Sequence, residues 1–215
     1  MRLFTLFIIL TIITFAKGQS NNRDVLASED VLIAEKKLSE LGFWIKNIDD
    51  TTDESTRYAV LAFQRVKGLK QTGFLISKEL SILKNSKTIT LKSGDFPHFE
   101  VDLKRQILFF VNENGKVSHI LPVSTGTGKK FTEGGRTRRA VTLKGTFKIF
   151  KKVESWKESP LGNMYYPSYL IGGVAIHGSN FFPNRPSTYG CIKVPLIYAT
   201  ELSRLMPFNA TVIVY

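Results

Sequence analysis

The sequence predicts two folded domains behind a short leader: a small all-α domain of three helices, then a larger, mostly-β domain. Three observations favour this fold class. A chain of 215 residues is long enough for one large domain or two modest ones. Apolar residues recur at helical spacing within residues 25–87, whereas β-rich runs punctuated by glycine and proline fill residues 98–215. A composition of 43% hydrophobic and 22% charged residues excludes a wholly disordered or collagen-like chain.

Residues 1–18 have the features of a secretory signal peptide. Arg2 supplies a positive start, residues 3–15 are almost entirely apolar, and the small residues Ala16 and Gly18 precede a cleavage point. The alternative is a membrane anchor, but the apolar run has 13 residues, whereas a spanning helix needs about 20. We therefore expect an exported protein without a stable membrane span, in the periplasm, the cell wall or the extracellular space.

Residues 25–87 carry the pattern of three short helices. The first begins at the capping residue Ser28 and stops at Gly42, the second runs from about Asp53 to Gly68, and the third covers residues 77–83. A domain of about 60 residues with one small core is viable without disulfides. The inward faces of the first two helices consist of Val31, Ala34, Leu38, Leu41, Ala59, Val60, Phe63 and Val66.

Several positions in these helices match a known pattern, namely Leu38, Leu41, Gly42, Phe43, Asp49, Thr56, Ala59, Val60, Phe63, Gln64, Gly68, Leu69 and Gly73. They resemble the three-helix peptidoglycan-binding domain of cell-wall enzymes. The resemblance implies binding to peptidoglycan, and the alternative is a spacer without affinity. Asp50 and Asp53 stand where the family has glycine, so the loop before the second helix departs from the pattern.

The sequence predicts that the second domain is mostly β. Asn114 and Gly115 mark a tight turn between two strands, and apolar spacing predicts one helix near residues 195–205. The expected strands cover residues 100–103, 106–111, 117–123, 145–150, 173–177 and 211–215.

Positive charge is concentrated in this second half. The formal net charge is +12, and residues 91–215 hold 17 basic side chains against 8 acidic ones. Residues 129–152 alone hold nine basic side chains and one acid, Glu133. A basic patch suits a polyanion. Since the chain is expected to be exported, an anionic cell-wall polymer is a better partner than nucleic acid; the alternative is a solvated loop.

The chain has a single cysteine, Cys191, which excludes an intramolecular disulfide and a cysteine-rich zinc site. His177 ends an apolar strand 14 residues earlier, and the segment between them contains glycines and prolines that let it fold back. A thiol beside an imidazole is the smallest nucleophile–base pair of covalent catalysis. Backbone N–H groups around Gly190 and Cys191 would then hold an oxyanion. The alternative is a buried cysteine and an unrelated histidine.

The residues around this pair match a family signature. His177-Gly178-Ser179 followed by Thr188-Tyr189-Gly190-Cys191 resembles the active site of the L,D-transpeptidase (YkuD) family. Four further segments resemble the family in its own order: residues 123–126, 145–149, 158–162 and 165–167. Together they extend over nearly all of residues 98–215, behind a binding domain as is common in the family.

The resemblance implies a β-sandwich-like catalytic domain with Cys191 as nucleophile and His177 as general base. The Gly178 carbonyl would orient the imidazole, and the amides of Tyr189, Gly190 and Cys191 would form the oxyanion hole. The thiolate would attack a peptidoglycan stem peptide, release D-Ala and pass the acyl group to an amine, in cell-wall cross-linking or remodelling. No metal or other cofactor is implied. The alternatives are an L,D-carboxypeptidase that uses water and a catalytically inactive wall-binding protein.

Three departures from the family pattern concern this site. Tyr189 replaces a histidine, and it can donate a hydrogen bond but cannot carry a proton near neutral pH. Lys193 replaces an arginine and keeps the charge without the bidentate fork. Leu143 replaces a proline. Lys193, Tyr165 and Tyr166 are candidate substrate-binding residues.

Overall fold

The computed structural model describes residues 26–91 and 95–215, so the expected signal peptide at residues 1–18 lies outside the described part. Helices α1 (Ser28–Glu40), α2 (Glu54–Lys67) and α3 (Ser77–Lys84) come first, and a mostly-β domain follows. The predicted fold class is therefore confirmed. No helix within the described ranges has the length and apolarity that a membrane span requires.

The helix ends agree with the sequence prediction except at the start of α1. Ser28 is the first helical residue there, and Ala27, which has no capping side chain, occupies the cap position. Asp53, one of the two departures from the family pattern, caps α2 because its carboxylate accepts the Thr56 amide at 2.8 Å. Gly68 ends α2 in the left-handed conformation.

The β domain contains two five-stranded sheets and a separate hairpin. One sheet has the order β3-β2-β1-β12-β6; the other has the order β11-β10-β9-β7, with β8 paired to β9. Strands β4 and β5 form the hairpin. The strands are β1 (His98–Asp102), β2 (Ile107–Val111), β3 (Val117–Pro122), β4 (Lys130–Glu133), β5 (Arg136–Arg139), β6 (Gly145–Lys148), β7 (Lys151–Lys152), β8 (Trp156–Lys157), β9 (Met164–Ile171), β10 (Val174–Ser179), β11 (Ile192–Pro195) and β12 (Thr211–Val214), and helix α4 (Leu196–Leu205) precedes β12.

The two sheets enclose the main core. Val101 and Val212 of the first sheet and Ile176 and Ile192 of the second belong to one cluster of buried side chains, which also includes Leu202 of α4. Because side chains alternate in direction along a strand, the central strands of both sheets each turn one face toward this core. The arrangement is a sandwich with α4 packed against its second sheet.

Helix α4 approaches β10 closely at Gly178. A Cβ atom added there would lie 2.5 Å from the Cβ of Ala199 and 3.3 Å from a methyl carbon of Leu196. Since buried Cβ atoms do not approach to 2.5 Å, only glycine at this position permits the observed contact of helix and strand.

The helical domain and the β domain share a second core. Leu38 and Phe63 from the helices pack in one cluster with Phe109 and Ile120 from the first sheet. The amide of Trp44 donates to the Ile120 carbonyl at 3.0 Å, and the Tyr198 hydroxyl donates to the Trp44 carbonyl at 2.8 Å. The helical domain is therefore fixed against the β domain.

We predict that Gly178→Ala lowers the free energy of unfolding by about 1–3 kcal/mol, because the added methyl group overpacks the contact between β10 and α4. Urea denaturation followed by circular dichroism measures this change. Gly173→Ala is the matched control, since its Cβ would have no heavy atom within 4 Å and its φ is ordinary. Equal stability of both variants and the parent would contradict the close contact.

Candidate active site

Two parallel strands, β10 and β11, bring the predicted site residues together. Ile176 pairs with Ile192 and His177 pairs with Lys193. Ile176 and Ile192 point into the main core. Since side chains alternate, His177 and Lys193 point to the opposite face of the sheet. Cys191 directly precedes β11 and shares this face.

The thiol of Cys191 lies against the backbone just before β10. Its Sγ atom is 3.7 Å from the Gly173 carbonyl oxygen, to which it donates. Strand spacing and rise place the Cα atoms of Cys191 and His177 about 8 Å apart on the diagonal. Thiol and imidazole thus occupy one face of neighbouring strands, and in this state the thiol is directed at the backbone.

The imidazole of His177 is held in one tautomer. Its Nδ1 atom lies 2.9 Å from the Gly178 carbonyl oxygen. Because a carbonyl only accepts hydrogen bonds, Nδ1 carries the proton and Nε2 keeps a free lone pair. Burial lowers the pKa of His177 to about 4, and the positive charge of Lys193 acts in the same direction. The imidazole is therefore neutral at pH 7 and can accept a proton at Nε2.

The thiol is also neutral in this state. Burial raises the pKa of Cys191 above its ordinary value, although a hydrogen bond with the Ala175 backbone and the charge of Lys193 act in the opposite direction. A neutral thiol and a neutral imidazole can move a proton during nucleophilic attack, with no thiolate–imidazolium pair required beforehand.

The turn before Cys191 is held by two threonines. The Thr188 hydroxyl accepts the Gly190 amide at 3.1 Å and donates to the Cys191 carbonyl at 2.6 Å. The Thr142 hydroxyl donates to the Gly190 carbonyl at 2.8 Å. Gly190 has φ +139°, a conformation that favours glycine. Since its amide is already bonded, the amides of Tyr189 and Cys191 are the remaining candidates for an oxyanion hole.

The hairpin β4–β5 lies beside this turn. The ring of Phe131 on β4 is 4.7 Å, centroid to centroid, from the exposed ring of Tyr189. Every side chain of β5 is exposed, and three of the four are arginines. Three of the nine basic side chains of residues 129–152 are therefore exposed on a hairpin that contacts the turn before Cys191.

The three candidate substrate-binding residues have different surroundings. The Nζ atom of Lys193 is 5.8 Å from the ring centroid of Phe181, on the same face as His177. Tyr165 lies opposite Gly178 and packs against the main core, with its ring 4.8 Å from that of Trp156. Tyr166 is next to His177 in a narrow gap beside α4.

Sequence reasoning missed several polar residues around this site. Ser124 exchanges two backbone hydrogen bonds with Lys193, at 3.0 and 2.8 Å. Two residues farther from the thiol bond to the neighbours of Ser124: the Gln106 side chain accepts the Thr125 amide, and Arg65 donates to the Val123 carbonyl. Residues 123–126 stand out in the sequence only through their resemblance to the L,D-transpeptidase family. Nothing in the sequence links Arg65, which belongs to the helical domain, to the site. Among the described residues, no three His, Cys, Asp or Glu side chains are grouped to hold a metal ion.

Comparison with known proteins gives two family matches. A model described as an L,D-transpeptidase catalytic domain matches residues 97–214, and one described as a peptidoglycan binding domain matches residues 27–75. No curated protein matches the chain.

Solved structures are similar over both domains. An L,D-transpeptidase from Xylanimonas cellulosilytica (its residues 123–326) is 30% identical, with a TM-score of 0.80 over 90% of this chain and 96% of that one. An L,D-transpeptidase from Stackebrandtia nassauensis is 22% identical, with a TM-score of 0.51 over 88% and 92%, which shows the fold. The catalytic-domain match extends over more than half of the chain and a peptidoglycan-binding domain precedes it, so the protein belongs to the L,D-transpeptidase (YkuD) family of enzymes.

Proposed function

We propose that this peptidoglycan transpeptidase is an exported enzyme that uses Cys191 as its nucleophile and His177 as its general base. The observation that carries the proposal is the placement of a neutral thiol and a neutral imidazole on one face of β10 and β11. The Gly178 carbonyl fixes the imidazole with Nε2 unprotonated. Family membership supports peptidoglycan as substrate, and both the domain content and the predicted signal peptide support a location at the cell wall or in the periplasm.

The acylation step follows from this geometry. Rotation about the Cα–Cβ bond of Cys191 turns the thiol away from the Gly173 carbonyl and toward Nε2 of His177. Nε2 takes the thiol proton while the sulfur forms a bond to the carbonyl carbon of the third stem residue. The amides of Tyr189 and Cys191 donate to the developing oxyanion. When the C–N bond breaks, the imidazolium returns the proton to the amine of the leaving D-Ala, and a thioester remains.

The second step returns the enzyme to its starting state. His177, neutral again, takes a proton from the attacking amine of a neighbouring stem. The new amide bond forms as the C–S bond breaks and the Cys191 thiolate leaves, and the His177 imidazolium then returns the proton to this thiolate. Water in place of the amine would release a tripeptide, which is the L,D-carboxypeptidase reaction of the same pair.

The basic hairpin supports attraction to an anionic polymer of the wall. Arg136, Arg138 and Arg139 are exposed on β5, and Phe131 of the same hairpin contacts Tyr189 beside Cys191. Polyanion binding there would keep the thiol close to the wall. The helical domain supplies the family's means of binding peptidoglycan.

We predict that Cys191→Ala abolishes D-Ala release from a tetrapeptide muropeptide, since the substitution removes the proposed nucleophile, and that the variant still sediments with peptidoglycan. His177→Gln should reduce release by about 10²–10⁴-fold, the usual contribution of a general base. Mass analysis of the products measures both and separates cross-linked dimers from free tripeptides. Absence of D-Ala release by the parent protein, or full release by Cys191→Ala, would refute the assignment.

The pH dependence follows from the state of His177. Its pKa of about 4 means that the base form persists as the pH falls, so kcat/KM should decline only as the pH approaches about 4, below the ~6.5 of an ordinary histidine. In Lys193→Gln the nearby positive charge is absent, the pKa of His177 rises, and the decline should move to higher pH. A parent profile that declines near pH 6.5 would contradict the proposed buried, neutral base.

Neutralising the hairpin tests the polyanion partner. Arg136→Gln, Arg138→Gln and Arg139→Gln combined should weaken sedimentation with peptidoglycan at low salt and change it little at high salt, because salt screens exposed charges. The matched control removes three exposed charges of the β domain outside the hairpin, by Lys104→Gln, Lys116→Gln and Arg204→Gln. Equal loss in both triple variants would show that net charge, not the hairpin, attracts the wall.

A further inference from the structure

Arg65 of α2 is a buried cation at the junction of the two domains. Its side chain is 4% exposed. Its Nη1 atom donates to the carbonyls of Gln106 at 2.7 Å and Val123 at 2.9 Å, and its Nη2 donates to Oδ1 of Asn184 at 2.8 Å. None of the ion pairs between described residues involves Arg65. Burial lowers its pKa to about 10, so the group stays charged at neutral pH, held by uncharged oxygens.

The first segment that Arg65 holds, residues 123–125, contacts the chain on both sides of Cys191. Ser124 exchanges backbone hydrogen bonds with Lys193, two residues after the thiol. The Thr125 carbonyl accepts the amides of Ser187 and Thr188, both at 3.0 Å. The Ser124 hydroxyl donates to the Arg185 carbonyl at 2.8 Å. A shift of this segment therefore shifts the turn that presents the thiol.

Gln106 links the guanidinium to the same segment a second time. Its carbonyl accepts both from Arg65 and from the Val123 amide, which is 2.9 Å away. Its side-chain amide accepts the Thr125 amide at 2.9 Å and donates to the Thr125 hydroxyl at 2.6 Å. Gln106 has φ +57°, which few residues other than glycine adopt, so the surrounding hydrogen bonds hold a strained conformation.

The second segment that Arg65 holds is the loop that leads to Cys191. Asn184 stands seven residues before the thiol. Its Oδ1 accepts from Arg65, and its Nδ2 donates to the carbonyl of Gln71 in the helical domain at 2.8 Å. In the same loop, the ring of Phe182 meets that of Tyr58 on α2 at 5.5 Å. The loop is therefore attached to the helical domain at several points.

We propose that Arg65 is a positioning residue for acyl transfer, because one guanidinium fixes residues 123–125 and the loop of Asn184 relative to each other and so sets the place of Cys191 beside His177. The planar fork of arginine suits this task, since it donates in several fixed directions at once, which a lysine ammonium does not reproduce. The helical domain then contributes to catalysis as well as to wall binding. This inference rests on the proposed function for its kinetic readout.

The kinetic test compares Arg65→Met, Arg65→Lys and Arg57→Met in the full chain. Arg57 is the matched control, an exposed arginine of α2 whose guanidinium lies over the ring of Phe74. With a soluble tetrapeptide substrate, Arg65→Met should lower kcat by about 10- to 100-fold with little change in KM, since small displacements of reacting groups cost rates of that order. Arg65→Lys should recover part of the loss, and Arg57→Met should match the parent.

Asn184 variants test the same inference if Arg65→Met does not fold. Asn184→Ala removes the acceptor for Nη2 and should lower kcat in the same direction as Arg65→Met, by a smaller factor. Asn184→Asp keeps an acceptor for the guanidinium and should retain most of the activity. A purely structural role for Arg65 would lower the unfolding midpoint of its variants and leave kcat per folded molecule unchanged.

Hydrogen–deuterium exchange gives a readout that does not depend on activity. The amides of Ser187 and Thr188, which bond to Thr125, should exchange faster in Arg65→Met and Asn184→Ala than in the parent and in Arg57→Met. If the parent protein released no D-Ala, the proposed function would fail. The exchange rates of the Ser187 and Thr188 amides would still show whether Arg65 positions the chain around Cys191. Unchanged exchange and unchanged kcat in folded Arg65→Met and Asn184→Ala would overturn the inference.

Discussion

The site depends on the register between the parallel strands β10 and β11. Ile176 and Ile192 pair across these strands and are buried in the main core, so the residues that flank them face the other way. A slip of one residue would move every side chain of a strand to the opposite face. The burial of these isoleucines therefore fixes the face of the sheet on which the side chains of His177 and Cys191 lie. Gly178 allows α4 to cover the core side of the same strand.

Burial and hydrogen bonding give this face its chemistry. Burial favours the uncharged form of both the thiol and the imidazole, whereas the Gly178 carbonyl decides which nitrogen of His177 is free. Lys193 acts on both members of the pair, because its positive charge lowers the pKa of the thiol and of the imidazole. The lysine that replaces the family's arginine is therefore part of the electrostatics of the site, next to His177 in the sheet.

The helical domain is integrated with the β domain at two levels. Phe63 and Ile120 share a hydrophobic cluster, which fixes the two domains against each other. Beside that contact the buried Arg65 donates to Val123 and Asn184. Residues 124–125 bond to the chain on both sides of Cys191, and the loop of Asn184 leads to it. The helical domain is thus packed against the β domain and bonded to the loop that precedes Cys191.

The three helices, the β-rich second domain and the family could be predicted from the sequence, because helical periodicity and a local signature depend on neighbours in the chain. The same signature singles out Cys191 and His177 as candidates. The sequence analysis missed β11 and also β9, which has a proline at its centre. It also missed the hairpin, whose charged strands lack apolar alternation. Three features are visible only in the folded chain: the Gly190 amide is already bonded, the basic hairpin lies beside Tyr189, and Arg65 holds the loop before Cys191. These contacts join residues distant in sequence, and they follow from how the sheets and the helical domain pack.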